Sequence, residues 1–405
     1  MSTIASGVFK QLIAKKQSGL GSAASGASAQ IYRRVTSTLD LKKATYKSNE
    51  IRTSMQRSDF RHGVRSVDGS ISGELSVGTY QEFIGSTLRG AWAAVSGYNS
   101  GTDTAADAAG TFTDTSAGFL TAGLKVGMVG RWTGWSSTAN NSKNFLITGL
   151  TSSVMTGVFL NGDAVVTDAG GVSDDVTFTP VGKYISIPAT GHARDYWTIE
   201  HNFSDIAQSE QFTDCVFNTM AVKLPSTGMA TVDFSILGLD MTTGTASVFT
   251  SPTAVSSGAI LAAVNGAVYI DGVAVGQITS LDFQINGNMS APGGVVGSNV
   301  DPDIFPGMID VTGNMTVLFD SVTMRDYFLN ETEVSIVAAF TSGTSATAAV
   351  QTHVFHRVKL GGASKDDGEK GLSLTVPFTA LENTAGGSGT SSYATSYWMQ
   401  DSAAV

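Results

Sequence analysis

Val67-Asp68-Gly69-Ser70-Ile71-Ser72 recurs in the second half of the chain as Val311-Thr312-Gly313-Asn314-Met315-Thr316. In both runs apolar and polar residues alternate, the period of a strand with one buried face, and a glycine holds the third place. The match continues at one constant offset, with Gly63 answering Gly307 upstream and Leu75, Tyr80 and Phe83 answering Phe319, Met324 and Tyr327 downstream. Further out, Leu39-Asp40-Leu41 matches Leu281-Asp282-Phe283, and Ser48-Asn49 matches Ser298-Asn299. Ile199, Phe203 and Phe217 likewise match Ile336, Phe340 and Phe355. One domain is duplicated. Two copies are too few for a solenoid or propeller, so the expectation is a chain whose halves take equivalent places in a ring.

The 405 residues, 42% of them hydrophobic, leave room for two or three domains with their own cores. Gly is frequent (46), Pro is scarce (8), and Ser, Thr and Val crowd the alternating segments, so the fold class expected is mainly β. In the first copy the alternation predicts strands through Leu41 and Thr45 and from Val64 to Leu75. A short helix follows, carrying Tyr80, Phe83, Ile84 and Leu88, with Met324, Tyr327 and Phe328 in the second copy. Ala230, Val232, Phe234 and Ile236 close the first copy, as Leu372, Leu374, Val376 and Phe378 close the second. The basic loop from Lys47 to Arg61 is expected to be about six residues longer than its counterpart.

Nine positions separate Tyr327 from Ile336, but 116 separate Phe83 from Ile199, so about 107 residues are inserted in the first copy. Their apolar alternation between turn clusters predicts a small, separate β-domain, and insertions of this size are tolerated at exposed tips, so it should face outward. The expected organisation is a flexible N-terminal arm at 1–36, a first domain at 37–100 and 184–245, and the inserted domain at 101–183. The second domain is expected at 258–383, and a C-terminal tail that docks through Tyr393, Tyr397, Trp398 and Met399 at 384–405.

Charge is divided unevenly. Residues 1–66 carry twelve of the 24 Lys and Arg against Asp40, Glu50 and Asp59, a balance of +9. The rest of the chain carries −19, so the two parts attract within or between chains. A single cysteine, Cys215, rules out an internal disulfide and points to a reducing compartment. No apolar run has membrane-spanning length, and Lys10, Lys15 and Lys16 interrupt the start before a signal-peptide core can form.

Residues for chemistry are sparse. There is no phosphate loop, nucleophile elbow or helical His-Glu metal motif, so no catalytic, cofactor-binding or metal residue is expected. His353 and His356 are three apart and fall on opposite faces of a strand. Asp301 and Asp303 lack the ligands of a calcium loop and read as a turn, and Asp366, Asp367 and Glu369 read as a solvated hairpin tip. Aromatic residues are not interleaved with Arg and Lys, so a single-strand nucleic-acid platform is not expected.

The chain resembles the tail tube proteins of long-tailed bacteriophages. The likeness runs through Gly7 to Lys10, Tyr32-Arg33-Arg34 with Leu39 to Leu41, Ser48 to Ile51, Asp59 to Gly63 and Gly69 to Glu74. It continues through Ala117 to Phe119, Gly127 to Gly130 and Gly307 to Phe319. The resemblance implies β-sandwich or half-barrel domains with a flanking helix, closing with neighbours into a ring whose inner wall is a β-barrel. Rings stack into a virion tube, assembled from chains made in the bacterial host cytoplasm. Double-stranded DNA passes through that tube without specific binding, and tape measure, tail terminator and distal tail proteins are the implied partners. Since single-domain members form sixfold rings, two copies imply homotrimeric, pseudo-sixfold rings. At about four strands per copy, about 24 strands tilted about 40° give a backbone diameter of about 48 Å and a bore of about 35 to 40 Å. An acidic bore lets DNA slide. The arm and the basic loop then reach an adjacent ring, with Arg33, Arg34, Arg52, Arg57, Arg61 and Arg65 as candidate inter-ring contacts. The competing class is a β-rich virion decoration or cell-surface binding module, which forms discrete particles. A hydrolase would need an acid pair or triad that the sequence does not offer.

Overall fold

The computed structural model describes residues 4–101, 103–170, 175–367, 369 and 371–405. The first copy comprises β1 (Lys10–Lys16), β2 (Gln30–Tyr32), β3 (Thr36–Ser37), β4 (Asp40–Lys47), β5 (Phe60–Glu74) and helix α1 (Gln81–Leu88). Seven strands follow: β6 (Tyr98–Gly101), β7 (Thr104–Asp107), β8 (Thr111–Asp114), β9 (Val129–Thr133), β10 (Asn144–Leu150), β11 (Val154–Phe159) and β12 (Val176–Pro180). The chain then returns through β13 (Lys183–Ser186), β14 (Trp197–Phe203), β15 (Gln208–Pro225), β16 (Thr231–Gly238) and β17 (Asp240–Gly244). The second copy comprises β18 (Gly266–Ile270), β19 (Val273–Ala274), β20 (Ile278–Asn286), β21 (Asp310–Leu318), helix α2 (Thr323–Leu329) and β22 (Val334–Thr341). It ends with β23 (Val350–Leu360), β24 (Ser364–Lys365), β25 (Ser373–Ala380) and β26 (Trp398–Asp401).

Strand pairing repeats between the copies element by element. β4–β5–β16–β15 in the first matches β20–β21–β25–β23 in the second, all antiparallel. Ile71 faces Phe234 as Met315 faces Val376, which keeps the constant offset of the central match. Even the irregularities recur, with a bulge between Trp197 and Ile199 opposite β15 and another between Val334 and Ile336 opposite β23. The repeated glycine is explained by close approach. A Cβ on Gly69 would lie 2.6 Å from Leu39 Cα, and one on Gly313 would lie 2.2 Å from the Phe378 ring.

Two distal matches shift. Leu41 faces Val67 and Ile285 faces Val311, so Leu41 corresponds to Ile285 rather than Phe283, and the two hairpins span equal lengths. Phe355 faces Ile336 across β22–β23 as Phe212 faces Ile199 across β14–β15, so its counterpart is Phe212 rather than Phe217. The first error is two residues, which leaves a strand's face pattern unchanged and so escapes inspection.

The two copies join into one sheet because the distal half of β15, Thr219 to Pro225, pairs with β20 as well as with β16. The inner sheet therefore runs β4–β5–β16–β15–β20–β21–β25–β24, eight strands with β24 prolonging β23. The proximal half of β15 lies instead between β14 and β17, in an outer layer with β1 and β2. The core fills the space between the layers, from Ile71, Phe83, Phe217 and Phe234 to Phe283, Met315, Phe355 and Val376. Phe83 of α1 stacks on Tyr32 at 4.1 Å and Phe217 at 4.4 Å and meets the Trp197 edge at 5.5 Å.

The N-terminal segment differs from the flexible arm expected of residues 1–36, of which residues 1–3 lie outside the described residues. β1 pairs with β14 along its whole length and buries Leu12, Ile13 and Ala14. Apolar residues inside a Lys-flanked run supply that burial, too short a signal to stand out beside the Gly-Ser-Ala stretch after it. β18 pairs with β22 in the same way, so the structural repeat begins at β1.

The seven strands β6 to β12 form their own antiparallel sheet, ordered β6–β12–β9–β10–β11–β8–β7. Its core of Phe112, Trp132, Phe145 and Phe178 is continuous with Val337, Ala339, Val350 and Val354 of the second copy and with Trp398. The expectation of a separate body is corrected on this point. The C-terminal segment docks through β26, which pairs with β13 on one side and β23 on the other while Tyr397, Trp398 and Met399 become fully buried.

Candidate functional site

The inner sheet has two chemically opposite faces. Leu39, Val67, Ile71, Val232, Phe234, Met220, Val222, Leu281, Phe283, Ile285, Val311, Met315, Val376 and Phe378 point into the core. Alternation puts Ser, Thr, Asn and Gln on the other face. Over the paired length that face also carries six carboxylates, Asp40, Asp68, Glu74, Asp233, Asp282 and Asp310, against Lys42, Lys223 and Lys359. The Lys42 ammonium is tied to Asp68 at 2.6 Å. Lys223 lies opposite Asp282. The surface is a broad, largely polar wall with an acidic excess, interrupted at Leu237, which packs against the small cluster of Tyr196, Val216, Leu239 and Ile304.

Both ends of this sheet are open among the described residues. β4 pairs with β5 alone, and its side chains are largely exposed. β24 pairs with β25 alone. Beyond β4 the basic hairpin tip leaves Ile51 and Met55 almost fully exposed, at 101% and 96%.

The six candidate arginines do not form one surface. Arg33 donates to the Gly258 carbonyl at 2.7 Å and Arg34 to the Lys10 carbonyl at 2.6 Å, both fixing the N-terminal segment. Arg65 pairs with Asp240 at 3.0 Å and is only 26% exposed. Arg52, Arg57 and Arg61 stay together on the hairpin, held by Glu50, the Ser48 carbonyl and Asp59. Asp59 is held below the usual carboxylate range by the Phe60 N–H and by Arg61.

Sequence reasoning passed over Arg89. It ends α1 in the left-handed conformation (φ 55°), a conformation that favours glycine, and reaches the Gly287 and Gly307 carbonyls at 2.7 and 2.8 Å. A charged residue just past a short amphipathic helix was the available signal.

The histidines and carboxylates singled out in the sequence make contacts within the fold. Burial pushes His353 down to about 3 and His356 to about 4, with Lys125 adding to the latter. His353 Nδ1 contacts the Tyr397 hydroxyl at 2.8 Å, while His356 Nε2 accepts from the Trp398 indole at 2.7 Å. Burial, with Lys10 and Arg34, pushes His201 to about 3. Asp303 binds Arg194 at 2.7 Å and Tyr196 at 2.8 Å, and Asp301 accepts from the Gly294 N–H. Asp366 caps Ser373 at 2.8 Å. Cys215 is fully buried in the core. Among the described residues no three His, Cys, Asp or Glu side chains converge on a metal position, and no helix is long and apolar enough to cross a membrane.

A family model described as phage tail tube protein matches residues 10–380. No curated protein matches the chain.

Proposed function

The chain belongs to the phage tail tube protein family and is a structural subunit of a virion tail, and we propose that three copies close into a pseudo-sixfold ring with the polar sheet face lining the bore. The observation that carries this is the eight-stranded inner sheet, four strands from each copy, with one mostly polar face, interrupted by Ala221, Leu237, Leu318 and Pro377, and two edges open among the described residues. Three such sheets make a barrel of about 24 strands, about 48 Å across at the backbone. Each fixed cation on the wall would hold a phosphate and release counterions, retarding the duplex. A wall of hydroxyls, amides and excess carboxylate, on which Lys42, Lys223 and Lys359 each have a carboxylate beside them, leaves DNA few such anchors. Rings stack into the tube, and tape measure, tail terminator and distal tail proteins meet its interior and ends.

Arg52, Arg57 and Arg61, with Ile51 and Met55, form the ring-to-ring contact at the hairpin tip. Arg33, Arg34 and Arg65, already engaged inside the chain, support the elements around it. The inserted sheet sits on the outside of the ring beside the second copy, where it decorates the tail or touches cell surfaces. Electron microscopy of purified protein over a concentration series, with rotational averaging, tests the reading. Stacked rings with three peripheral lobes and a near-sixfold wall are expected. Discrete particles that never stack at any salt or concentration would favour the decoration module instead.

A further inference from the structure

The duplicated chain contains one complete copy-to-copy junction and, at its two ends, the halves of another. In the complete one, Thr219 to Pro225 of β15 pairs antiparallel with Asn286 to Ser280 of β20. Among the described residues β4, the equivalent of β20, lacks a strand on that edge. So does the β23–β24 strand beyond Leu360, the equivalent of the distal half of β15. We infer that β4 of one chain adds to this edge of the next in the register of the internal junction, an inference that rests on the ring reading above.

Strand equivalence fixes the register. Phe217 faces Ile236 as Leu360 faces Phe378, and Ala221 faces Asp233 as Ser364 faces Thr375. Transferring the internal pairs sets Leu41 against Ala363, Asp40 against Ser364, and Leu39 against Lys365. Thr38 then meets Asp366, and Lys42 meets Gly362. Leu39 and Leu41 fall on the core side, where Phe283 and Ile285 lie in the internal junction, and Asp40 falls on the polar face.

Burial differs between equivalent elements in the direction this requires. β20 buries Leu281, Phe283 and Ile285, every second residue of its distal part, while β4, with the same role but no second neighbour among the described residues, buries none. Helix α1 fully buries Phe83, Ile84 and Leu88, whereas α2 only partly covers Met324 and Tyr327 and leaves Leu329 66% exposed. Charge also switches. The left-handed residue behind α1 is Arg89, which holds the carbonyls at the neck of the β20–β21 hairpin, and the one behind α2 is Glu331 (φ 50°), 3.6 Å from Lys359 of its own chain and 82% exposed. The equivalent neck on β4–β5 carries Lys43 beside Lys42 and His62. An acidic residue thus stands where the neighbouring chain would present cations.

The test is disulfide trapping between chains, aided by the burial of the only native cysteine. Asp40→Cys and Ser364→Cys are placed on separate chains, mixed, assembled under reducing conditions and then oxidised. Directly opposed antiparallel residues lie about 4.5 to 5.5 Å apart at Cα, within the disulfide range. The expected result is conversion of mixed rings to covalent dimers on non-reducing gels, and closed covalent trimers when both cysteines are on every chain. Thr38→Cys with Asp366→Cys gives the same result if the first pair disturbs folding. Leu41→Cys with Ser364→Cys, which point to opposite faces, is the control. Rings visible by electron microscopy that do not crosslink with either pair overturn the junction and leave the tube reading standing. Crosslinking as strong in the control overturns the register. Wild-type protein that forms no ring refutes the tube reading and the junction with it.

Discussion

Lowering the pH from 7.5 to 5.0 should loosen the subunit through three histidines. His201, His353 and His356 are held neutral, at about 3, 3 and 4, chiefly because burial opposes their charged forms. In the unfolded chain each titrates near about 6.5. A depressed folded value means the unfolded state binds more protons below that point. The stability these groups contribute is whole above about pH 6.5 and is lost progressively as pH falls towards 3 to 4. At pH 5.0 each histidine has cost about 2 kcal/mol, so about 6 kcal/mol together if they act independently. Asp401 and Asp214, raised mainly by burial, act in the opposite direction at low pH and reduce the total. Urea unfolding at constant ionic strength, followed by tryptophan fluorescence, measures it, since Trp398 donates to His356 and Trp197 shares β14 with His201. His356→Gln should remove about a third of the pH dependence. An unfolding midpoint that is unchanged or higher at pH 5.0 would refute the argument.

Three further outcomes are expected. Phe83→Ala, which empties the stack between Tyr32, Phe217 and Trp197, should cost about 3 to 5 kcal/mol, read as a fall in thermal midpoint of the unassembled chain. Arg89→Met leaves the Gly287 and Gly307 carbonyls without their donor and should cost about 1 to 3 kcal/mol, with faster amide exchange across the β15–β20 junction. Replacing Arg52, Arg57 and Arg61 together by Gln should shorten tubes while single rings persist in micrographs. Wild-type tubes should likewise shorten as salt rises, because these side chains are exposed.

The inner sheet was legible wherever a constant offset and a period of two coincided, as at Val67 to Ser72, Ala230 to Ile236 and their counterparts. Where a connecting loop differed in length, longer between β22 and β23 than between β14 and β15, residue matching slid to the wrong phenylalanine. β1 and β18 share a place but no residues, since Leu12, Ile13 and Ala14 stand where Val268, Tyr269 and Ile270 do, so that part of the repeat is a matter of pairing and not of sequence. The junction of β15 with β20 depends on which strand edges meet, and alternation reports only faces. Among the candidate arginines, charge clustering could not tell Arg52, Arg57 and Arg61, which the fold leaves exposed, from Arg33, Arg34 and Arg65. Carboxylate and carbonyl partners far along the chain consume those three.

The seven-stranded insertion shares its hydrophobic interior with the second copy, and that limits how it can be exchanged. A module joined only by its two connecting strands would behave as a detachable cassette, to be deleted or grafted at will. Here excision would strip the cover from Val337, Ala339, Val350, Val354 and Trp398 and leave a sticky patch on the flank of the subunit. Any replacement must bring a matching apolar underside, so the insertion and the host domain beneath it can diversify only in step.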